Sequence, residues 1–327
     1  MTRSLNLTIF SIYILLFLST CKGPTPEPGD DPLPLAESKL SVKFTDTKLE
    51  AKPELSLTND EVLAISLNIK KGADGSRPVK MAVYVTGNPD RVGTLLLDNI
   101  KLKMLDEQTR SLEVSLPAVG TSISRIFYIS ITDDKGKIIR KAINVLPSVN
   151  RQIISWSNIT LGVQASTTPS RFSTTTGDIY TVCDLDSNIT FVDITYATIG
   201  SPSIRPTLVS NPRRGALGLG VTISDRVCSN VSTANGTPTF FAPTNTPIDF
   251  TNANDFILRN LAIPTTTQDL IVEAGKIYMF QHTRTTRDGK AVTRKGLIKI
   301  NSISNAVATN GATITQGLVN FDVKMQR

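Results

Sequence analysis

Alternation with a period of two constrains this chain more than any other feature. Leu63, Ile65, Leu67 and Ile69 alternate with Ala64, Ser66, Asn68 and Lys70. Met81, Val83 and Val85 repeat the pattern, and Leu112, Val114 and Leu116 alternate with Ser111, Glu113 and Ser115. Successive strand side chains point to opposite faces, so each run predicts a strand with one buried and one wet face. Turn clusters such as Gly72-Ala73-Asp74-Gly75 and Gly87-Asn88-Pro89-Asp90 separate the runs. Residues 127–132 and 138–145 flank Asp133-Asp134-Lys135-Gly136-Lys137, a hairpin signal. Aromatics are only 6% of the chain, and abundant Thr, Ser, Asn and Val favour strands and loops over helices.

The predicted class is all-β, with two domains. Residues 39–148 hold about seven strands, the count of an immunoglobulin-like sandwich. On that pattern the region resembles the Ig-like modules found near the membrane end of bacterial surface lipoproteins. Residues 149–327 are expected to form a larger β-sandwich or jelly-roll-like domain. Strands are predicted at 179–183, 189–196, 276–283, 291–300 and 317–324, the last with Val319, Phe321 and Val323 facing in. Residues 201–247 are rich in Pro, Gly, Ser, Thr and Asn, which predicts long loops. One short helix is expected within 251–261, capped by Asn252 or Asn254. Trp156, the single tryptophan, is expected to anchor the core or the domain junction.

The N-terminus reads as an export signal. Arg3 is followed by an uncharged stretch whose apolar centre is Ile9, Phe10, Ile12, Tyr13, Ile14, Leu15, Leu16, Phe17 and Leu18. This is too short to span a bilayer as a helix and ends at small residues. Leu18-Ser19-Thr20-Cys21 resembles the bacterial lipobox, with Thr20 where Gly, Ala or Ser is usual. The resemblance implies a signal peptide over 1–20, diacylglycerol on the Cys21 thiol and further acylation of the new amine. Two or more chains give stable membrane anchoring. Residues 21–38 follow as a tether in which Pro24, Pro26, Pro28, Pro32 and Pro34 favour an extended conformation. Glu27, Asp30 and Asp31 loosely resemble the surface-export signal of Bacteroidota-type lipoproteins, and Lys22 is not the Asp linked to inner-membrane retention. An outer-membrane anchor is expected, with the periplasmic or cell-surface face left open. No cofactor is expected beyond the acyl chains.

The formal net charge is +7. For an exported chain, a basic balance points to acidic glycan or anionic lipid rather than nucleic acid. With Cys21 given to the lipid, Cys183 and Cys228 remain. In an oxidising compartment they either form a disulfide, which would contribute about 3–4 kcal/mol, or remain two separate thiols.

Candidate chemistry is sparse. His282 is the only histidine, so any Ser-His-Asp or Cys-His arrangement would need it. It shares a predicted strand face with Tyr278 and Phe280, and no nucleophile motif accompanies it; a buried or rim histidine is the plainer reading. Asp184, Asp186 and Asn188 place oxygens at alternate positions, like the start of a calcium loop, but Ile189 and Thr195 stand where such a loop needs Gly and Glu. The other reading is a turn between two strands. Gly215-Ala216-Leu217-Gly218-Leu219-Gly220 lacks the strand-to-helix context of a phosphate cradle and reads as a loop. Arg284, Arg287, Lys290, Arg294 and Lys295, with Lys276 and Lys299, form a basic cluster. It suits acidic glycan or lipid headgroups, or it protects an exposed strand edge. Together these features predict a non-enzymatic envelope lipoprotein that acts as a binding or structural module for a glycan, a protein or another envelope component. The alternative is a carboxylate-based glycan hydrolase, which needs two Asp or Glu about 5–10 Å apart in one cleft.

Overall fold

The computed structural model describes residues 37–58, 61–87, 93–116, 124–200, 203–223, 228, 230–244 and 247–327. Cys21, the signal and nearly all of the tether lie outside the described residues. The chain is nearly all-β, and its strands form two successive sandwiches.

The N-terminal sandwich contains β1 (Ser41–Phe44), β2 (Glu54–Leu57), β3 (Val62–Lys70), β4 (Pro78–Thr86), β5 (Thr94–Lys101), β6 (Glu107–Ser115), β7 (Arg125–Asp133) and β8 (Ile138–Pro147). A three-stranded sheet of order β1-β3-β6 faces a five-stranded sheet of order β2-β8-β7-β4-β5. β2 runs parallel to β8, and the other pairings are antiparallel. The alternating residues fill the space between the sheets: Leu63, Ile65, Leu67, Ile69, Leu112 and Val114 pack against Met81, Val83, Phe127, Ile129 and Ile131. Each such side chain contributes about 1.5–3 kcal/mol by leaving water. The helix α1 (Thr47–Ala51) is capped by Asp46, which accepts from the Lys48 and Leu49 amides. The β7–β8 turn is fixed by buried Asp133, whose Oδ1 accepts from the Lys135 and Lys137 amides at 2.9 and 2.8 Å. Gly136 takes a φ of 75° there, which explains a glycine at that position.

The C-terminal sandwich begins after a short connection. It contains β9 (Ile153–Gly162), β10 (Arg171–Phe172), β11 (Ile179–Tyr180), β12 (Ile194–Ile199), β13 (Arg205–Val209), β14 (Thr222–Ile223), β15 (Val231–Ser232), β16 (Thr239–Pro243), β17 (Asp269–Ile271), β18 (Ile277–Thr285), β19 (Ala291–Val307) and β20 (Thr313–Gln326). One sheet has the order β16-β18-β19-β20-β9, the other β11-β10-β12-β13-β17, and β14 and β15 form a separate pair. Phe172, Ile194, Tyr196 and Leu208 meet Phe280, Ile298, Ile300, Val319, Phe321 and Val323 between the sheets. Val319, Phe321 and Val323 therefore face inward, as their alternation predicts. The helix α3 (Asp255–Arg259) is capped by Asn254.

Three expectations need correction. The second face of β3 and β6 is wet only at one end, where Lys70 and Glu107 are exposed; Ser66, Ser111 and Glu113 are buried, because the C-terminal sandwich packs against them. Asp184, Asp186 and Asn188 do not lie in a turn between strands but in a helix, α2 (Val182–Asn188). Residues 201–247 are not simply long loops: they hold β13 to β16 and two 3-10 helices, Asn211–Leu217 and Thr233–Asn235. The glycine-rich stretch lies partly in the first of these, which Gly218 ends in the left-handed conformation.

Candidate functional site: the seam between the sandwiches

Most of the polar residues singled out in the sequence converge where the two sandwiches meet. β6 is the edge strand of the β1-β3-β6 sheet, so its outer backbone groups need partners. Helix α2 supplies them. The Thr109 amide donates to Asp184 Oδ1 at 2.9 Å, and the Ser111 amide donates to Asn188 Oδ1 at 2.9 Å. Asn188 Nδ2 donates to the Thr109 carbonyl at 2.7 Å. Asp184 and Asn188 are four residues apart, which puts them on one helix face. Asp186 pairs with Lys103 Nζ at 2.7 Å. The three residues considered as calcium ligands are thus engaged with the N-terminal sandwich. No cluster of three or more His, Cys, Asp or Glu suited to a metal occurs among the described residues. Cys183 of α2 is disulfide-bonded to Cys228, which ties this helix to the segment beside β14 and β15.

A second layer is made of ions. The inward face of β18 continues from Tyr278 and Phe280 to His282 and Arg284, and that of β19 runs from Ile300 and Ile298 through Gly296 to Arg294. The sandwich interior therefore changes from apolar to charged at one end, where Glu113 of β6 meets it. Arg284 Nη1 binds Glu113 Oε1 at 3.0 Å, and its Nη2 binds Asp193 Oδ1 at 2.5 Å. Arg294 Nη1 lies 2.9 Å from the same Glu113 oxygen. All four side chains are buried, and their two positive and two negative charges balance. The Phe191 ring lies against the Arg284 guanidinium, 4.6 Å from centroid to Cζ. Burial alone would raise the Asp193 carboxyl, but Arg284 and the Thr174 hydrogen bonds hold it below the ordinary carboxylate range.

His282 is 1% exposed. The Thr174 amide and hydroxyl both donate to Asp193 Oδ2 at 2.8 Å, so the hydroxyl oxygen is left to accept. His282 Nε2 is 3.1 Å from that oxygen and must carry the imidazole proton. Burial pushes the His282 pKa down to about 4; Asp193 opposes the shift, and Arg284 and Arg294 reinforce it. The imidazole is therefore neutral at physiological pH, with Nδ1 3.9 Å from Asp193 Oδ1. A nucleophilic triad needs a hydroxyl or thiol free to attack, and the Thr174 hydroxyl is committed to Asp193. Around the same layer, Ser111 Oγ lies 2.6 Å from Tyr180 OH and 3.0 Å from Ser66 Oγ.

The seam opens to solvent in a cleft of about 170 Å³ beside this network, bordered by Arg110, Arg284, Arg287, Ser187 and Thr190, with the Glu113 carboxylate also in its lining. Arg110 donates to the Ser187 carbonyl, while its Nε and that of Arg284 are buried without an acceptor among the described residues. Burial and the nearby Arg287 lower the Arg110 pKa. Farther along the seam, Trp156 Nε1 donates to the Thr174 carbonyl at 2.7 Å. A Cβ on Gly177, which has a φ of 78°, would come within 2.8 Å of the Trp156 ring, so only glycine fits there.

The basic cluster is accordingly not one exposed strip. Arg284 and Arg294 are buried, Arg287 borders the cleft, and Lys295 points away to the carbonyls of Arg259 and Leu261 at 3.1 and 2.6 Å. Lys290 is exposed in the β18–β19 turn region. Sequence reasoning missed Glu113, Asp193 and Arg110. Its available signal was a lone acid inside an apolar run, as in Leu112-Glu113-Val114 and Phe191-Val192-Asp193-Ile194, because a buried charge implies a partner.

No protein-family model and no curated relative matches the chain. Among solved structures it is similar to a DUF4466 family protein from Parabacteroides merdae, at 12% identity over 89% of this chain and 99% of that one, with a TM-score of 0.35. It is also similar to Salmonella alpha-2-macroglobulin reacted with methylamine, at 11% identity over 92% of this chain and 18% of that one, with a TM-score of 0.24. A third similar structure is the purple acid phosphatase PPD1 of yellow lupin, at 10% identity over 79% and 40%, with a TM-score of 0.17. Likenesses at this level carry no argument about activity.

Proposed function

We propose that the chain is a lipid-tethered binding module of the cell envelope that holds one anionic group of its ligand in the arginine-bordered cleft on the seam. The observation that carries this reading is the convergence of Arg110, Arg284 and Arg287, three cations against the one lining carboxylate of Glu113, on a cleft with hydroxyls at its rim. Guanidinium groups suit carboxylate, sulfate or phosphate because they donate in pairs to planar or tetrahedral oxygens. The volume suits one such group rather than a whole sugar ring, so the rest of the ligand lies on the surface. An acidic glycan of the envelope fits both the cleft and the net charge.

A binding role is favoured over glycan hydrolysis by the state of the two carboxylates that approach each other here. Glu113 and Asp193 both hold Arg284, and a general acid needs a raised pKa, whereas that of Asp193 is lowered. The strand order of the N-terminal sandwich, with β2 parallel to β8 at the end of the five-stranded sheet, supports an Ig-like spacer. Anchoring through Cys21 at the outer membrane rests on the sequence of residues 1–38.

Two experiments test the proposal. The full chain in detergent should be retained on immobilised heparin, a probe rich in sulfate and carboxylate, and not on neutral dextran. The double variant Arg110→Gln/Arg287→Gln should bind about tenfold more weakly, in line with losing charge-assisted pairs. Equal retention of the variant would discard the cleft. Separately, Cys21→Ala should leave the chain unlipidated and move it from the membrane to the soluble fraction. Unchanged membrane association and processing would overturn the anchor.

A further inference from the structure

A second pair of buried arginines lies away from the seam, beneath the segment that covers the outer side of the β11-β10-β12-β13-β17 sheet. Arg171 opens β10 and pairs in register with Thr195 of β12. Thr195 Oγ1 donates to Asn211 Oδ1 at 3.2 Å. Asn211 and Arg214 are the buried residues of the 3-10 helix Asn211–Leu217. At three residues per turn they share one face, which turns toward the sheet. Arg171 is 3% exposed and Arg214 is 1% exposed.

These side chains present donors without acceptors. Asn211 spends its carbonyl on Thr195, and its Nδ2 has no partner. Arg214 Nη2 donates to Gln164 Oε1 and to the Leu219 carbonyl, but its Nε has no partner. Arg171 Nε and Nη2 are likewise buried without an acceptor among the described residues. Neither arginine forms an ion pair with a described Asp or Glu. An arginine cannot shed its charge at physiological pH, and buried charges are ordinarily paired. Burial and the charge of Arg214 lower the Arg171 pKa to about 9, and burial lowers that of Arg214 to about 10. Both stay cationic at neutral pH, two like charges in a low-dielectric space.

We propose that Arg171, Asn211 and Arg214 form a closed site for one small tetrahedral oxyanion, phosphate or sulfate, independent of the cleft on the seam. Four buried N–H-bearing atoms from three side chains match an ion with oxygens in several directions. A halide would offer one centre and no directional set. The ion would neutralise the like charges and fix the 3-10 helix to the sheet, so binding would appear as stability.

The test is thermal melting of the full chain in detergent, starting from buffer free of phosphate and sulfate and holding ionic strength constant. Phosphate or sulfate at a hundredfold excess over its dissociation constant should raise the Tm by about 5 °C. Acetate and chloride should do much less. Arg171→Met should abolish the rise while folding normally in oxyanion-free buffer. Asn211→Asp, which keeps the acceptor for Thr195 and supplies a built-in anion, should raise the oxyanion-free Tm and lose the response to phosphate. No rise with either oxyanion, an equal rise with chloride, or an undiminished rise in both variants would overturn the site. If Arg171→Met fails to fold, the Asn211→Asp result decides alone: a lowered oxyanion-free Tm or a retained phosphate response would overturn it. The Arg110→Gln/Arg287→Gln variant should keep the full response, which separates this site from the cleft.

Discussion

Arg284 and Arg294 are buried at one end of the C-terminal sandwich, and Arg171 and Arg214 are buried on the outer side of its second sheet. The residue chemistry is the same, and the surroundings differ. At the seam the guanidiniums meet Glu113 from the other sandwich and Asp193 from the segment before β12. At the second pair no described carboxylate is present. The first arrangement balances its own charge and thereby joins two sandwiches. The second is complete only with an anion from outside. A buried arginine is therefore not a fixed sign of structure or of binding; its counter-charge decides which.

The comparison predicts mutational effects of different size. Asp193→Asn leaves Arg284 with one carboxylate shared between two guanidiniums, and it should destabilise the protein by about 3–5 kcal/mol, the cost of breaking a buried pair. Chemical denaturation of the full chain checks this, and a loss under about 1 kcal/mol would show that the network does not need its charge balance.

Next in size is a pH effect at the seam alone. His282 has a pKa lowered from 6.5 to about 4 by burial, so the unfolded chain binds the extra proton between those values. Its contribution is fully present above about pH 6.5 and falls away as the pH drops toward 4, by about 3 kcal/mol in total. His282→Gln should flatten that part of the stability profile. An unchanged slope between pH 6.5 and 4 would place the titration elsewhere.

The smallest effect is expected at the second pair. Arg171→Met removes one of two like charges that have no counter-ion, so in oxyanion-free buffer it should change stability by less than about 1 kcal/mol or raise it. A loss as large as that of Asp193→Asn would mean that the two pairs do not differ in the way their surroundings indicate.

The disulfide secures the helix at the seam. Cys183 lies in the helix that covers the β6 edge, and Cys228 lies between β14 and β15, whose Ile223 and Val231 pack with Tyr180 and Leu185. In the unfolded chain it closes a loop of 45 residues. Constraining a loop of that length contributes about 4 kcal/mol in the chain-entropy account.

The legibility of the chain followed the range of its signals. β3, β6 and β20 were readable because a buried strand face repeats every two residues and needs no knowledge of its partner. The hairpin at Asp133 to Lys137 was readable because turn chemistry is local. α2 was not, since Val182-Cys183-Asp184-Leu185-Asp186-Ser187-Asn188 is short and rich in residues that favour turns. Its helix is held by Asp184 and Asn188 bonding to β6, a contact spanning 75 residues or more. Arg284 and Arg294 looked like exposed edge charges because strand alternation breaks down where the interior turns polar.

By itself the sequence determined an all-β chain and the inward face of its regular strands, and it narrowed the cap of α3 to Asn252 or Asn254. Only the tertiary structure decided what lies against the other faces. Arg284 and Glu113 are 171 residues apart, and no local pattern links them. A buried charge is stable only where a distant segment brings its counter-charge. The same limit applies to Arg171 and Arg214, whose lack of a described carboxylate partner becomes visible only once the covering segment is folded over them.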